Sequence, residues 1–314
     1  MVNETSSATL DVVVVIPTLN ESQNIATCIK EVRAALTSLN FEVLVVDGHS
    51  NDGTDKIALE NGAKVIQQHN RGYGDALRTG FLYVKRNLAT KVIVMIDADL
   101  TYDPKDIQAL VKPLLSGEAD MVIGNRFLKM EKGAMTLTNK IGNKIISWVA
   151  RTTLGLNIHD TQCGLRAFRS ELIDAMSLIA DGMPFAIEML VDAHSAKAKI
   201  IEEPVAYRRR RGVSKLRPLS DGLRILSTII RLFRDTRPLL FFSVIGAVLG
   251  ALGLAFGIDI TLEWFRTKTV ERLPTLLLAV LLMISSMQLF TIGLLADMIK
   301  RLKNKGIVFA VEGT

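Results

Sequence analysis

The chain has only two cysteines, Cys28 and Cys163, far apart and outside any Cys-x-x-Cys spacing. That scarcity excludes a disulfide framework and a cysteine-held zinc site, and it predicts a reducing compartment. Histidine is almost as sparse: His49, His69, His159 and His194 are scattered, and none is assigned a catalytic role. Met1 to Leu10 lacks a basic head followed by an apolar core, which predicts no cleavable signal peptide. There is no internal repeat and no low-complexity linker. Charge is missing altogether from two long stretches near the end, Leu239 to Ile258 and Pro274 to Ala296.

What is present is concentrated unevenly. Hydrophobic residues make up 49% of the 314 and gather after Pro238, while the formal net charge is +6. Each uncharged stretch approaches the ~20 residues that cross a bilayer, and Gly246, Gly250, Gly253 and Gly257 permit close packing of the first against the second. Neither run has the polar stripe of a core helix, so two membrane spans are expected. Arg231, Arg234 and Arg237 precede the pair and Lys300, Arg301, Lys303 and Lys305 follow it, which predicts that both ends face the cytoplasm. The segment Asp259 to Arg272, with Trp264 and Phe265, reads as the turn at the far interface. Upstream, Leu219, Leu223, Leu226, Ile230 and Phe233 recur at helical spacing beside Arg217, Arg224 and Arg231, describing an amphipathic helix for the headgroup layer. The expected organisation is a cytoplasmic domain over 1–216, an interfacial helix over 217–237 and a membrane hairpin with a basic tail over 238–314. Membrane lipid is thus a partner, self-association through the hairpin is allowed, and no nucleic-acid partner is expected.

Before the hairpin, apolar strands alternate with helical stretches, the signature of an α/β fold with a mostly parallel sheet flanked by helices. Strands are expected at Val12–Ile16, Glu42–Val46, Lys64–Gln67, Val92–Ile96 and Asp120–Gly124. Helices are expected at Asn24–Thr37, Thr54–Asn61, Asp75–Asn87 and Pro104–Ser116, the last capped by Asp103. The strand Val92–Ile96 runs straight into Asp97-Ala98-Asp99. Two acids two residues apart share one side of an extended chain, and oxygen ligands without His or Cys favour Mg²⁺ or Mn²⁺ held mainly by substrate phosphates. A capped loop with an exposed acid explains the tripeptide equally well.

The other strands also end in polar chemistry, where ligands of such folds gather. Pro17-Thr18-Leu19-Asn20-Glu21 follows the first strand, and Asp47-Gly48-His49-Ser50-Asn51-Asp52-Gly53-Thr54 follows the second, with Asp47 available to a base or ribose. Arg71-Gly72-Tyr73-Gly74 leads into a helix, offering glycines for close approach and an arginine for a diphosphate. Together they predict a nucleotide site built from Pro17, Thr18, Asn20, Glu21, Asp47, Arg71, Gly72, Asp75, Asp97 and Ala98.

The strings VVVVIPTLNE, VVDGHSNDGT, RGYGDALRTGF, DADLTYDP, GNRF and DTQCGLRAF resemble, in order and spacing, the family-2 glycosyltransferases of the GT-A fold. Among these the chain is similar to the polyprenyl-phosphate glycosyltransferases, the dolichol-phosphate mannose and glucose synthases and their bacterial relatives, over Val12 to Leu216. The resemblance implies a nucleotide sugar and a dolichyl or polyprenyl phosphate as substrates, a divalent metal at Asp97 and Asp99, and inversion at the anomeric carbon. It implies Arg126, Arg211 and Lys215 as acceptor-phosphate ligands and catalytic groups together with the two acids, and Asp160, Gln162 and Glu188 near the sugar. For Glu188 a capping or ion-pair role is an alternative, because Pro184 marks a helix start. Departures are Gly48 in place of a second acid, Tyr73 in place of a basic residue, and Thr101 where mannose synthases carry Gln. The string DTQCG leans toward the glucose type, so UDP-glucose or UDP-N-acetylglucosamine is favoured over GDP-mannose.

A lipid phosphate is already anionic and needs no strong base, so positioning and charge neutralisation are expected to dominate. Arg126, Arg166 and the run Arg208-Arg209-Arg210-Arg211 through Lys215 are the available cations, with an exposed basic face toward anionic lipid as the alternative for part of the run. Between Thr138 and Leu156, Ile141, Ile145, Trp148, Val149 and Leu156 form an apolar side that fits either the membrane or ordinary core packing. A membrane-anchored nucleotidyltransferase would need a basic glycine-rich loop where PTLNE stands. A non-catalytic lipid- or sugar-binding adaptor would tolerate the loss of Asp99. Two spans and the absence of a Gln-x-x-Arg-Trp segment disfavour a processive polysaccharide synthase.

Overall fold

The computed structural model describes residues 9–177, 179–210 and 218–312. They form two compact units, Met1–Ile229 and Ile230–Thr314. The elements of the first begin with β1 (Leu10–Thr18), α1 (Ile25–Ala35), β2 (Phe41–Asp47), α2 (Thr54–Glu60), β3 (Lys64–Gln67), α3 (Tyr73–Asn87) and β4 (Thr90–Met95). They continue with α4 (Ile107–Leu115), β5 (Met121–Met130), α5 (Leu137–Leu154), β6 (Arg166–Arg169), α6 (Phe185–Ser195) and β7 (Ile200–Tyr207). A short 3₁₀ turn at Pro104–Asp106 opens α4, and Asp103 accepts a hydrogen bond from the Lys105 backbone N–H as the expected cap. Helix α7 (Pro218–Thr236) contains the division between the units.

The seven strands lie in the order β3-β2-β1-β4-β6-β5-β7. The chain winds outward through β1, β2 and β3, then returns to the other side of β1 with β4, so a switch point opens beyond the carboxyl ends of β1 and β4. Val12 through Ile16 and Val43 through Val46 are fully or almost fully buried, as uninterrupted apolar strands covered on both faces require. Strand β6 was not expected. It runs antiparallel between β4 and β5, and its Phe168 packs edge-on against Phe81 of α3 with ring centres 5.1 Å apart. Four residues that include two arginines carry too little periodicity to read as a strand; neighbours on both sides supply what local propensity does not.

Leu156, just beyond helix α5, is buried, but the helix itself turns much of its apolar side outward. It buries Ser147, Ala150 and Leu154 and leaves Leu137, Ile141, Ile145 and Trp148 exposed, so most of the apolar side identified in the sequence is not core.

The second unit is a helical pair, α8 (Pro238–Thr267) and α9 (Leu273–Glu312). Both are long and apolar enough to cross a membrane, with mean hydropathy of 2.4 and 2.1 over the spans Pro238–Thr267 and Leu273–Leu302. The expected turn over Asp259 to Arg272 is shorter than predicted, because α8 continues to Thr267 and ends with Lys268 at φ 56°. Arg272 closes that end with ion pairs to Asp259 and Glu263. The glycines do bring the helices together: a Cβ at Gly246 would stand 3.1 Å from the Ser286 carbonyl and one at Gly253 3.0 Å from the Ala279 carbonyl, whereas Gly257 faces open space.

Candidate active site

The paired acids follow β4 at the switch point, but not on an extended strand. Strand β4 stops at Met95, and the segment turns through Leu100, a buried non-glycine residue at φ 61°. A leucine held in the left-handed region is strained by about 1–3 kcal/mol, and the contacts that hold it there are those of the acids. Asp99 accepts hydrogen bonds on Oδ1 from the Thr101 N–H at 3.1 Å and the Thr101 hydroxyl at 2.6 Å. Its Oδ2 faces the Arg210 guanidinium at 3.2 Å. Asp97 accepts from the Tyr73 hydroxyl at 2.9 Å, and its other oxygen lies against Gly164, where an added Cβ would collide with it. Burial, and then the neighbouring Asp99 charge, push the Asp97 carboxyl up to about 6. The two acids therefore feel each other although different residues hold them.

Among the described residues no cluster of three or more His, Cys, Asp or Glu could hold a metal. Two carboxylates, one with an oxygen already turned to a cationic group, fit a hard divalent ion that takes its remaining ligands from substrate phosphate and water.

The nucleotide edge is more heavily braced than the sequence predicts. Asp47 is fully buried, and its carboxylate accepts from Thr18 Oγ1 at 3.2 Å, Ser50 N–H at 2.8 Å and Ser50 Oγ at 2.6 Å. These bonds fix the loop that follows β2. Asn20, at φ 50°, donates its N–H to Ser50 Oγ and accepts from the Asn51 N–H, tying the β1 and β2 loops together. Pro17 lies opposite Val46 one position before the β1–β2 ladder ends with Thr18 beside Asp47, Glu21 donates its N–H to Thr54 Oγ1, and Ala98 is buried between the acids.

The Arg71–Gly74 loop is corrected more sharply. A Cβ at Gly72 would collide with the Asp181 carbonyl and one at Gly74 with the Ala180 carbonyl, so these glycines admit another stretch of backbone and not a diphosphate. The first N–H groups of α3 are already used: Gly74 and Asp75 both donate to the Asp181 carbonyl, at 2.8 and 3.3 Å. Asp75 is buried and spends its carboxylate on the Asn70 N–H and Arg78. Arg71 is exposed. Glu188, in the first turn of α6 after Pro184, accepts from the Ile179 and Ala180 N–H groups at 2.9 and 2.8 Å. It fixes the segment that covers α3, a role that is neither a helix cap nor an ion pair, and burial raises its carboxyl above the ordinary value.

Asp160 is likewise engaged within the protein. It is fully buried, and both oxygens bind the Arg126 guanidinium, Oδ2 to Nε and Oδ1 to Nη2, each at 2.7 Å. The Arg126 backbone N–H adds a third bond to Oδ2 at 3.0 Å, and the guanidinium carbon lies 5.3 Å from the Tyr207 ring centre. Asp160 thus positions Arg126. Arg166, offered by the sequence as a phosphate cation, is fully buried and donates to three carbonyls, those of Cys163, Ala186 and Thr161. It shapes the loop that carries Gln162 and Gly164. Gln162 itself is half-buried, with one bond to Thr161 Oγ1.

The arginine run divides. Arg208 pairs with Asp103 and Glu31, Arg209 donates to the Lys132 carbonyl, and Arg210 reaches Asp99 and Glu21. Arg211 and Lys215 lie outside the described residues. The run is fastened to the acid turn by the Arg208 N–H donating to the Thr101 carbonyl at 2.7 Å, by a bridge pairing Tyr102 with Tyr207, and by the edge-on contact of those two rings. Tyr102 also accepts the Gly164 N–H on its hydroxyl at 2.6 Å. Tyr73, Thr101, Tyr102, Gly164 and Arg210 were therefore missing from the sequence-derived set. A signal existed for Thr101, a hydroxyl two residues after an acid. None separated Arg210 from its neighbours in the run.

A mostly parallel sheet with a switch point, paired acids beyond it and guanidinium groups around them defines a GT-A glycosyltransferase domain. The chain belongs to glycosyl transferase family 2, whose model matches residues 13–176. It is 33% identical to a dolichyl-phosphate hexose transferase of Haloferax volcanii, over 72% of this chain and 96% of that protein. It is 30% identical to a dodecaprenyl-phosphate galacturonate synthase of Rhizobium johnstonii, over 93% of this chain and 88% of that protein. Among solved structures, glucosyl-3-phosphoglycerate synthase from Mycobacterium tuberculosis with Mn²⁺, UDP-glucose and phosphoglyceric acid superposes with a TM-score of 0.60. That likeness, at 22% identity over 72% of this chain and 80% of the other, speaks for the fold.

Proposed function

We propose that this chain transfers a hexose from a nucleotide sugar to a polyprenyl or dolichyl phosphate. The observation that carries the reading is the fastening of the arginine run to the acid-bearing turn, which sets guanidinium groups beside the paired carboxylates. Two relatives named for prenyl-phosphate acceptors support it, one of them aligned along 93% of the chain. A UDP-sugar is favoured over GDP-mannose.

In the reaction, an oxygen of the lipid phosphate attacks the anomeric carbon, the bond to the nucleoside diphosphate breaks with its electron pair, and the configuration inverts. The acceptor is anionic at neutral pH, so no side chain need remove a proton. Asp97 and Asp99 would hold a divalent ion, which would supply charge neutralisation for the departing diphosphate. Arg126, aligned by Asp160, and Arg211 and Lys215 hold the acceptor phosphate against the repulsion of the donor's, and Gln162 lies toward the sugar. The helical pair anchors the domain at the cytoplasmic side of a bilayer.

The deciding experiment incubates the purified chain in detergent with dolichyl phosphate, Mn²⁺ or Mg²⁺ and, separately, labelled UDP-glucose, UDP-N-acetylglucosamine and GDP-mannose. Label is expected in the lipid phase with one UDP-sugar. No transfer from any donor by folded protein would remove this reading.

The exposed apolar side of α5 is where the domain meets lipid. The chain has two tryptophans, so with Trp264→Phe only Trp148 reports. In vesicles of lipids brominated along their acyl chains, Trp148 fluorescence is expected to be quenched. Emission as bright as in unbrominated vesicles would place α5 in water.

A further inference from the structure

Arg210 is unlike the two arginines before it. Arg208 is committed to Asp103 and Glu31, and Arg209 to the Lys132 carbonyl, whereas Arg210 lies between acids from two different loops. Its Nη1 is 3.2 Å from Asp99 Oδ2 and its Nη2 3.6 Å from Glu21 Oε1. Neither carboxylate takes the paired grip that a guanidinium fork offers, and the Arg210 Nε–H is buried with no acceptor. The group thus neutralises two acids while leaving one of its best donors unused.

Asp99 limits what can sit beside it. Oδ1 is committed to Thr101, so Oδ2 is the oxygen a cation would take. A hard divalent ion binds a carboxylate oxygen at about 2.1 Å, and a guanidinium on that same oxygen would bring two positive charges almost into contact. Ion and arginine therefore exclude each other at Oδ2. The Arg208 N–H bond to the Thr101 carbonyl keeps the backbone in place, so the arginine can leave by a side-chain rotation.

We propose that Arg210 is a phosphate ligand held in reserve: it occupies the cation's place on Asp99 until a divalent ion arrives, then turns its Nε–H and an Nη–H onto a substrate phosphate. The proposal rests on the function given above and adds a coupling to it. Because the ion releases the arginine, ion and phosphate bind more tightly together than apart, and the effect is reciprocal.

The test uses the full chain in detergent, with Mn²⁺ binding read from the electron paramagnetic resonance of the free ion. A short-chain prenyl monophosphate and UDP are titrated separately, each with and without Mn²⁺. In Arg210→Ala, Mn²⁺ alone is expected to bind about threefold or more tightly, as a competing cation is gone. In the same variant one phosphate probe is expected to bind roughly tenfold more weakly and to lose its Mn²⁺ dependence. A loss confined to the monophosphate assigns Arg210 to the acceptor, and a loss confined to UDP assigns it to the donor. Arg210→Lys, which keeps the charge but not the fork, should hold Mn²⁺ affinity near the parent value and still weaken the phosphate. Unchanged or weaker Mn²⁺ binding in Arg210→Ala, or unchanged binding of both phosphates, would overturn the proposal. None of these titrations measures sugar transfer, so a chain that passes them yet uses no donor loses the function and keeps the exchange.

Discussion

Replacing Asp160 with alanine is expected to destabilise the first unit by about 3–5 kcal/mol. The partner left behind explains the size. Arg126 is 7% exposed at its side chain and Asp160 is not exposed at all, so truncation strands a guanidinium where water cannot hydrate it. Burial, the largest single influence, lowers its pKa, yet the Asp160 charge and hydrogen bond together with the neighbouring groups hold it well above the ordinary arginine value. The measurement is the urea midpoint of the detergent-solubilised protein, alongside a melting temperature expected to fall by roughly 10 °C. Asp160→Asn should lose less, since the amide oxygen can still accept one hydrogen bond. A double change of Arg126→Met with Asp160→Leu should recover most of the stability and none of the activity. Equal stability of Asp160→Ala and the parent would contradict the pairing.

The second large effect concerns Asp99. Asp99→Asn keeps a carbonyl oxygen for the Thr101 N–H and hydroxyl, so the turn through Leu100 should persist, while the charge opposite Arg210 disappears. Sugar transfer is expected to fall about a thousandfold, the scale seen when a group that stabilises developing charge is removed. The melting temperature should change little by comparison. Turnover within tenfold of the parent would detach Asp99 from the chemistry and revive the adaptor alternative. Thr101→Val provides the matching control: it leaves the charge and the backbone N–H bond in place but removes the shorter, hydroxyl bond to Asp99 Oδ1, so its cost should appear as weaker Mn²⁺ binding.

Some of this was legible in the chain itself. Val12–Ile16 and Glu42–Val46 read as buried strands because nothing charged interrupts their apolar cores, and Lys64–Gln67 appears with the predicted ends. The acids after β4 announced themselves by position, at the end of an apolar run. What stayed hidden was long-range. Asp47, Asp75, Asp160 and Glu188 carry the residue type a ligand site needs, but a carboxylate cannot reveal from the sequence whether it faces a ligand or a neighbouring N–H. Gly72 and Gly74 read as a phosphate loop because their flexibility is local information, while the Ala180–Asp181 backbone that needs the space lies far along the chain. Strand β6 was invisible for the same reason.

The bridge between Tyr102 and Tyr207 also has a meaning for how the molecule is made. The acids, the Thr101 hydroxyl and Tyr73 all lie on the stretch of chain that ends with the turn after β4, and contacts of short sequence separation form early. The guanidinium groups of Arg208 and Arg210 reach the acid turn only when β7 pairs with β5 and Tyr207 meets Tyr102, a loop closure of long range. A chain shortened ahead of β7 would retain both acids and the Arg126–Asp160 pair, yet lack the guanidinium groups that β7 brings beside the acid turn.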